Sequence, residues 1–176
     1  MPDLTPIRVA AAEDVPAICR FGEAVIGPHY APIIGRAAAQ DQVSRWWSEG
    51  EIARAAASGR VVVADAEGEL RGVGQRGLSG EDHAIYKLYV HPDGRGRGIG
   101  PRLIAALVQQ LPRSTDRLYV EHFAGNGRAG AFYEREGFAV VRVEPGPTAA
   151  TAVVWRVRAL APGEAGGAHR GPQVVS

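Results

Sequence analysis

Four glycines, Gly94, Gly96, Gly98 and Gly100, alternate with Arg95, Arg97 and Ile99 just ahead of Pro101. Glycine puts no side chain between the chain and a ligand, so backbone N–H groups can come to contact distance. If a helix starts at Pro101, these amides lie at its N-terminus. The first donors there lack intrahelical partners, and the macrodipole attracts an anion. Proline suits that first turn, because its missing donor would be unpaired anyway. Arg95, Arg97 and Arg102 add fork-shaped donors that match phosphate oxygens. The chemistry open to this stretch is the cradling of a diphosphate.

Two common phosphate loops do not fit. A Walker loop needs Gly-Lys followed by Ser or Thr, and neither a lysine nor a hydroxyl follows these glycines. A dinucleotide loop needs Gly-x-Gly-x-x-Gly, but counting from Gly96 the last position falls on Pro101. Such loops also usually occupy the first βα turn, whereas this one is mid-chain. A merely flexible Gly-Arg connection is the plain alternative, and a place between strand and helix argues against it.

The flanking pattern supplies that strand and helix. Ala84 to Val90 is rich in aromatic and branched residues and stops at His91-Pro92, which predicts a strand. From Pro101 to Leu111, Leu103, Ile104, Leu107, Val108 and Leu111 form one apolar stripe, and Pro112 ends the helix. Upstream, Ile7 to Ala10 reads as a strand. A helix follows from Asp14 with Val15, Ile18, Cys19 and Val25 inward and Gly27-Pro28 as its stop. Residues 28–36 read as irregular, and 37–58 as helical with a break at Gly50. Arg60 to Asp65 and Glu69 to Leu78 form a hairpin around Ala66-Glu67-Gly68. Downstream come a strand at Arg117 to Val120, a helix from Asn126 to Glu136 capped by Gly137, and strands at Phe138 to Val143 and Thr151 to Ala159. Hairpin strands first and β-α-β units later predict an α/β fold of mixed α+β character. Its centre is a twisted mixed sheet of six to seven strands with helices on both faces.

Composition bounds the function. The chain of 176 residues suits one domain, expected over 1–161, with the Gly-, Ala- and Pro-rich 162–176 as a disordered tail. A net charge of +1 is too balanced for a nucleic-acid or membrane footprint. No apolar run approaches the ~20 residues of a membrane span, and the start at Met1-Pro2-Asp3-Leu4 does not read as a signal peptide. Cys19 is the only cysteine, so no intrachain disulfide forms, in keeping with a cytoplasmic setting. Nineteen arginines stand against one lysine, Lys87, so a lone arginine says little, while arginines next to glycines say more.

Taken together, Arg95-x-x-Gly98-x-Gly100, preceded by Leu88-Tyr89-Val90-His91-Pro92 and followed by Leu103-Ile104, resembles the acetyl-CoA signature of the GNAT superfamily of N-acetyltransferases. A second element, Asn126-x-x-Ala129-x-x-Phe132-Tyr133-Glu134-x-x-Gly137-Phe138, follows at the family's distance. Asp14-Val15-Pro16-Ala17-Ile18 matches the start of its first helix. The resemblance spans about residues 5–159. It implies a sheet that splays apart after the loop-bearing strand, acetyl-CoA as co-substrate without a metal, and direct transfer to an amine in a ternary complex. It also implies cofactor contacts from Leu88, Tyr89, Val90, Arg95, Gly96, Arg97, Gly98, Ile99, Gly100, Pro101, Asn126 and Tyr133. A homodimer is common among such proteins.

Acetyl transfer to an amine poses three problems. The acceptor must lose a proton from a group of pKa about 10. The thioester oxygen needs a donor as charge develops on it. The departing thiolate benefits from an acid. By resemblance Tyr133 is that acid, and a backbone amide from Leu88 to Val90 serves the carbonyl. Asn126 has two roles, capping the next helix and contacting the cofactor. For the base, His83 at the start of the loop-bearing strand and Glu121 at the end of its neighbour are candidates, beside Glu81, Asp82 and His122; a water relay is equally compatible. His29 and Tyr30 are expected on the acceptor side. Trp46 and Trp47 cannot share a helix face, so at least one belongs to the core. The leading acceptor is a small primary amine, followed by a protein N-terminus or lysine. A non-catalytic acyl-CoA sensor is the competing class.

Overall fold

The computed structural model describes residues 4–167. Seven strands form one sheet in the order β1-β2-β3-β4-β5-β7-β6: β1 Ile7–Val9, β2 Val61–Ala66, β3 Glu69–Ser79, β4 Asp82–Val90, β5 Arg117–Phe123, β6 Ala139–Glu144 and β7 Val153–Ala159. All pairings are antiparallel except β4 with β5. Val61, Val62, Val63 and Ala64 are all buried. Strand residues alternate between faces, so such a run means that both faces are covered.

Helices α1 (Val15–Phe21), α2 (Gly27–Ile34), α3 (Arg36–Trp46) and α4 (Glu49–Ala57) belong to one face, where Ile18, Phe21, Ile26, Trp47 and Ile52 meet Val61, Val63 and Val73. On the other, α5 (Ile99–Gln109) and α6 (Gly127–Arg135) close over Val62, Ala64, Ile85, Leu118 and Val120. Two glycines of β3 let α5 settle close. A Cβ on Gly72 would come within 3.0 Å of Leu103, and one on Gly74 within 3.1 Å of Leu107. The N-terminus of α5 is thereby held at the end of β4.

Several boundaries differ from the sequence reading. Gly27-Pro28 does not stop the first helix, and 28–36 is not irregular. A π turn at Gly22–Ile26 carries the helix on into α2. Proline removes one amide donor and pushes back the carbonyl four residues earlier, and a wider turn makes room for both. Gly22 in that turn also faces Trp47, whose ring a Cβ would overlap. The later break falls at Trp47-Ser48 rather than Gly50. Ser48 caps α4 by accepting from the Glu51 amide at 3.4 Å, in a Ser-x-x-Glu start. Trp47 is core, while Trp46 is half exposed. Residues 162–166 form turns rather than a free tail: Ala165 is buried and Glu164 pairs with Arg158. The rest of the expected tail, 168–176, lies outside the described residues.

The expected splay has a local cause. Gln75 faces Lys87 and Arg76 faces Ile85, so Tyr86 is the extra residue of a β-bulge. Bulges bend a strand and sharpen its twist. On its other edge, β4 pairs with β5 only through Ala84 with Tyr119 and Ile85 with Val120. Past the bulge the strands part, and a gap opens between Tyr86–Val90 and Glu121–Phe123.

Candidate active site

A cleft of about 490 Å³ opens along that gap. One end is the loop after β4. Gly96 (φ 74°) and Gly98 (φ 81°) take left-handed conformations, with open space where a Cβ would stand. Conformation rather than crowding therefore demands glycine there. Gly98 is the N-cap of α5, so the helix begins at Ile99, two residues before the expected Pro101. Gly100 answers a different need, since a Cβ there would press within 3.0 Å of the Phe132 ring of α6.

Arg95, Arg128 and Arg135 line the cleft with Glu136 as the one carboxylate. Burial and the neighbouring Arg128 lower the pKa of Arg95, so an anion between the two would relieve both. Arg97 is placed elsewhere. It lines a separate cavity with Thr5, Arg71 and Asp93, behind the loop. The cationic surplus, the α5 N-terminus and the glycine backbone together fit a diphosphate. Leu88, Val90, Ile99 and Phe132 continue the wall and suit an apolar arm.

At the inner end, Asn126 does two jobs. Its Oδ1 accepts from the Ala129 amide at 3.2 Å and caps α6, and its Nδ2 lies 3.1 Å from Nε2 of His29. The amide oxygen being used by the cap, the nitrogen donates, and Nε2 of His29 accepts. His29 is thus neutral. Burial, with Arg95 and Arg128 adding repulsion, lowers its pKa. Tyr133 is 6% exposed and lines the cleft. Desolvation, with a smaller contribution from Tyr30, raises its pKa well above the ordinary tyrosine value.

The far side of the gap is aromatic. Tyr30 and Tyr89 join hydroxyl to hydroxyl, and Tyr30 meets Phe123 edge-on at 5.5 Å. Tyr89 and Trp47 pack at 5.6 Å, with the Lys87 ammonium 5.4 Å above the tryptophan ring. Glu121 has an exposed surface, yet surrounding protein still desolvates its carboxyl. That desolvation, followed by the charge of Glu144, raises its pKa, and its field reaches Tyr30, Tyr86 and Tyr89. His83 is not brought to the site. It pairs with Leu78 at the opposite end of β4, roughly 20 Å of strand from Tyr89. Asp82 beside it is engaged by Arg117 at 3.4 Å. The sequence reading also missed Arg128 and Arg135. They sit at unmarked positions of the α6 element, in a chain where arginine is too common to stand out.

A comparison with curated protein sequences gave no match. Residues 57–140 match the family described as acetyltransferase (GNAT) domain. Similar solved structures include the PaiA N-acetyltransferase of Thermoplasma acidophilum in complex with coenzyme A, 15% identical, covering 88% of this chain and 98% of that one with a TM-score of 0.73. A GCN5-related N-acetyltransferase structure from Rhodopseudomonas palustris is 23% identical over 91% of this chain and 98% of that one, TM-score 0.71. The yncA protein of Salmonella typhimurium with acetyl-CoA is 17% identical over 98% of this chain and all of that one, TM-score 0.60. At these identities the likeness is one of fold. The family match takes in the loop, β4 and α6, so residues 57–140 are similar to an acetyltransferase (GNAT) domain, and the chain as a whole shares the fold of these structures.

Proposed function

We propose that this protein transfers the acetyl group of acetyl-CoA to a small primary amine by direct attack, with both substrates bound at once. One observation carries the reading: an arginine-lined cleft runs from the α5 N-terminus through the β4–β5 gap to Tyr133. Arg95, Arg128, Arg135 and the amides of residues 96–100 hold the diphosphate. Leu88, Tyr89, Val90, Asn126 and Phe132 hold the arm that follows it. Bound there, acetyl-CoA supplies an activated acyl group and a thiolate leaving group.

The chain's own residues do the rest. The amine enters from the Tyr30–Glu121 side. Its proton passes to Glu121, directly or through water, as the C–N bond forms and the C–S bond breaks. A carboxyl with a raised pKa is a better proton acceptor than an ordinary one. Tyr133 stays protonated because burial holds its pKa up. It therefore stabilises the departing thiolate chiefly as a hydrogen-bond donor. His83 has no part in this scheme. The reading keeps the chain as a single acetyltransferase domain in the cytoplasm.

Two substitutions test it. Tyr133→Phe should lower kcat by about 10²-fold or more while acetyl-CoA affinity persists. Glu121→Gln should lower turnover at neutral pH and recover partly at high pH, where the amine deprotonates by itself. Unchanged turnover in both variants would remove these residues from the mechanism.

A further inference from the structure

Against Tyr133, and not itself among the residues that line the cleft, lies a histidine that the scheme above does not use. His122 of β5 stacks on the Tyr133 ring with centroids 6.0 Å apart and planes 27° from parallel. Its Nδ1 lies 2.9 Å from the Phe123 carbonyl oxygen, and Nε of Arg156 in β7 points at its Nε2 from 3.1 Å. A carbonyl can only accept and a guanidinium can only donate. Nδ1 therefore carries the proton, Nε2 the lone pair, and the ring is neutral with both nitrogens engaged. Arg156 is anchored in turn by Nη1 donating to the Phe138 carbonyl at 3.0 Å.

The packing is equally specific. A Cβ on Gly130 of α6 would approach His122 Cε1 to 3.2 Å and Arg156 Nη2 to 3.5 Å, so α6 rests directly on this pair. Among the described residues, Tyr133 from α6 and Arg156 from β7 are the titratable and charged groups that contact His122, and its own strand contributes the Phe123 carbonyl. A proton on Nε2 would set two cations face to face and break the Arg156 bond.

We infer that His122, locked between Arg156 and the Phe123 carbonyl, is a positioning residue that holds the Tyr133 ring toward the cleft, so that protonating His122 disables transfer without releasing the cofactor. The inference rests on Tyr133 being the donor to the thiolate. Burial and Arg156 lower the pKa of His122, so the device stays set at neutral pH and fails only in acid.

The test compares wild type, His122→Gln, His122→Phe and Tyr133→Phe between about pH 5 and 9 with acetyl-CoA and one accepted amine, beside calorimetric CoA affinity and melting temperature. Glutamine can still accept from Arg156 but cannot take a proton. The ratio of wild-type kcat to that of His122→Gln should be flat above about pH 7 and fall roughly tenfold per unit below the histidine pKa. Taking the ratio cancels ionisation of the amine and of Glu121. Phenylalanine keeps the ring but strands Arg156, and should lose about tenfold in kcat with acetyl-CoA KM unchanged. With the His122 pKa fixed by NMR titration and the series carried one pH unit below it, a ratio that stays flat through that pKa, or His122→Phe as active as His122→Gln, would overturn the inference. If His122→Phe fails to fold, the ratio alone decides. Tyr133→Phe separates the two claims: full turnover in that variant removes Tyr133 itself, whereas lost turnover with a flat ratio removes only His122.

Discussion

His29 and Asn126, ninety-seven positions apart, meet at 3.1 Å across the opening where β4 and β5 part. One comes from the helices on one face of the sheet, the other caps α6 on the opposite face. The β4–β5 ladder has already ended there, its last pair being Ile85 with Val120.

That bond predicts a titration. In the wild type, His29 titrates below the usual histidine value of about 6.5, because burial and two arginines disfavour its charged form. Asn126→Asp keeps an oxygen for the Ala129 amide, so the cap survives, but puts a carboxylate against Nε2. NMR titration should then find the His29 pKa raised above its wild-type value with the melting temperature nearly unchanged. An unmoved pKa would mean the two side chains do not meet in solution.

The loop predicts a contrast between neighbours. Arg95 lines the cleft and Arg97 does not. Arg95→Ala should weaken CoA binding by about 10- to 100-fold, as expected for a charge-assisted hydrogen bond. Arg97→Ala should change affinity by less than about threefold. Calorimetry on both variants checks the difference.

Gly98 and Gly100 should fail for different reasons. Gly98→Ala forces an alanine into the left-handed region, costing roughly 1–2 kcal/mol, which melting experiments would register. Gly100→Leu crowds Phe132 across the cleft, so its larger effect should be on CoA affinity.

How much of this was legible in advance depends on the range of the signal. The cradle, the α5 stripe and the α6 element are local patterns, and so was the order of strands and helices along the chain, whereas the swap of β6 and β7 in the sheet was not read from them. Even the core role of one tryptophan could be read from adjacency. Pro28 misled because the compensating π turn rests on Gly22 making room for Trp47, a contact between residues far apart in sequence. His83 misled because being near the start of a strand says nothing about which end of it meets the cleft. His29 with Asn126 and His122 with Arg156 are long-range meetings, and no local spacing encodes them.

Acid should also loosen the fold near its N-terminus. Arg8 bonds both oxygens of Asp14 at 2.6 and 2.8 Å and Asp65 at 2.6 Å. Arg8 beside it is the main cause of the lowered Asp14 pKa, and the Ala11 amide helps. A carboxyl depressed in the folded state contributes stability that is present above its unfolded pKa of about 3.9 and is lost as pH falls through the folded value. Melting curves of wild type and Arg8→Ala should differ at pH 7 and draw together as pH falls through the depressed folded-state value of Asp14.

The central claim is that the cleft transfers an acetyl group rather than merely binding its carrier. The direct measurement is thiol release from acetyl-CoA across a panel of primary amines, with mass spectrometry of the products. The account predicts amine-dependent release and an N-acetylated product for at least one small amine, abolished when Gly100→Leu blocks the cleft. Tight CoA binding with no amine-dependent release anywhere in the panel would contradict it and leave a binding protein in its place.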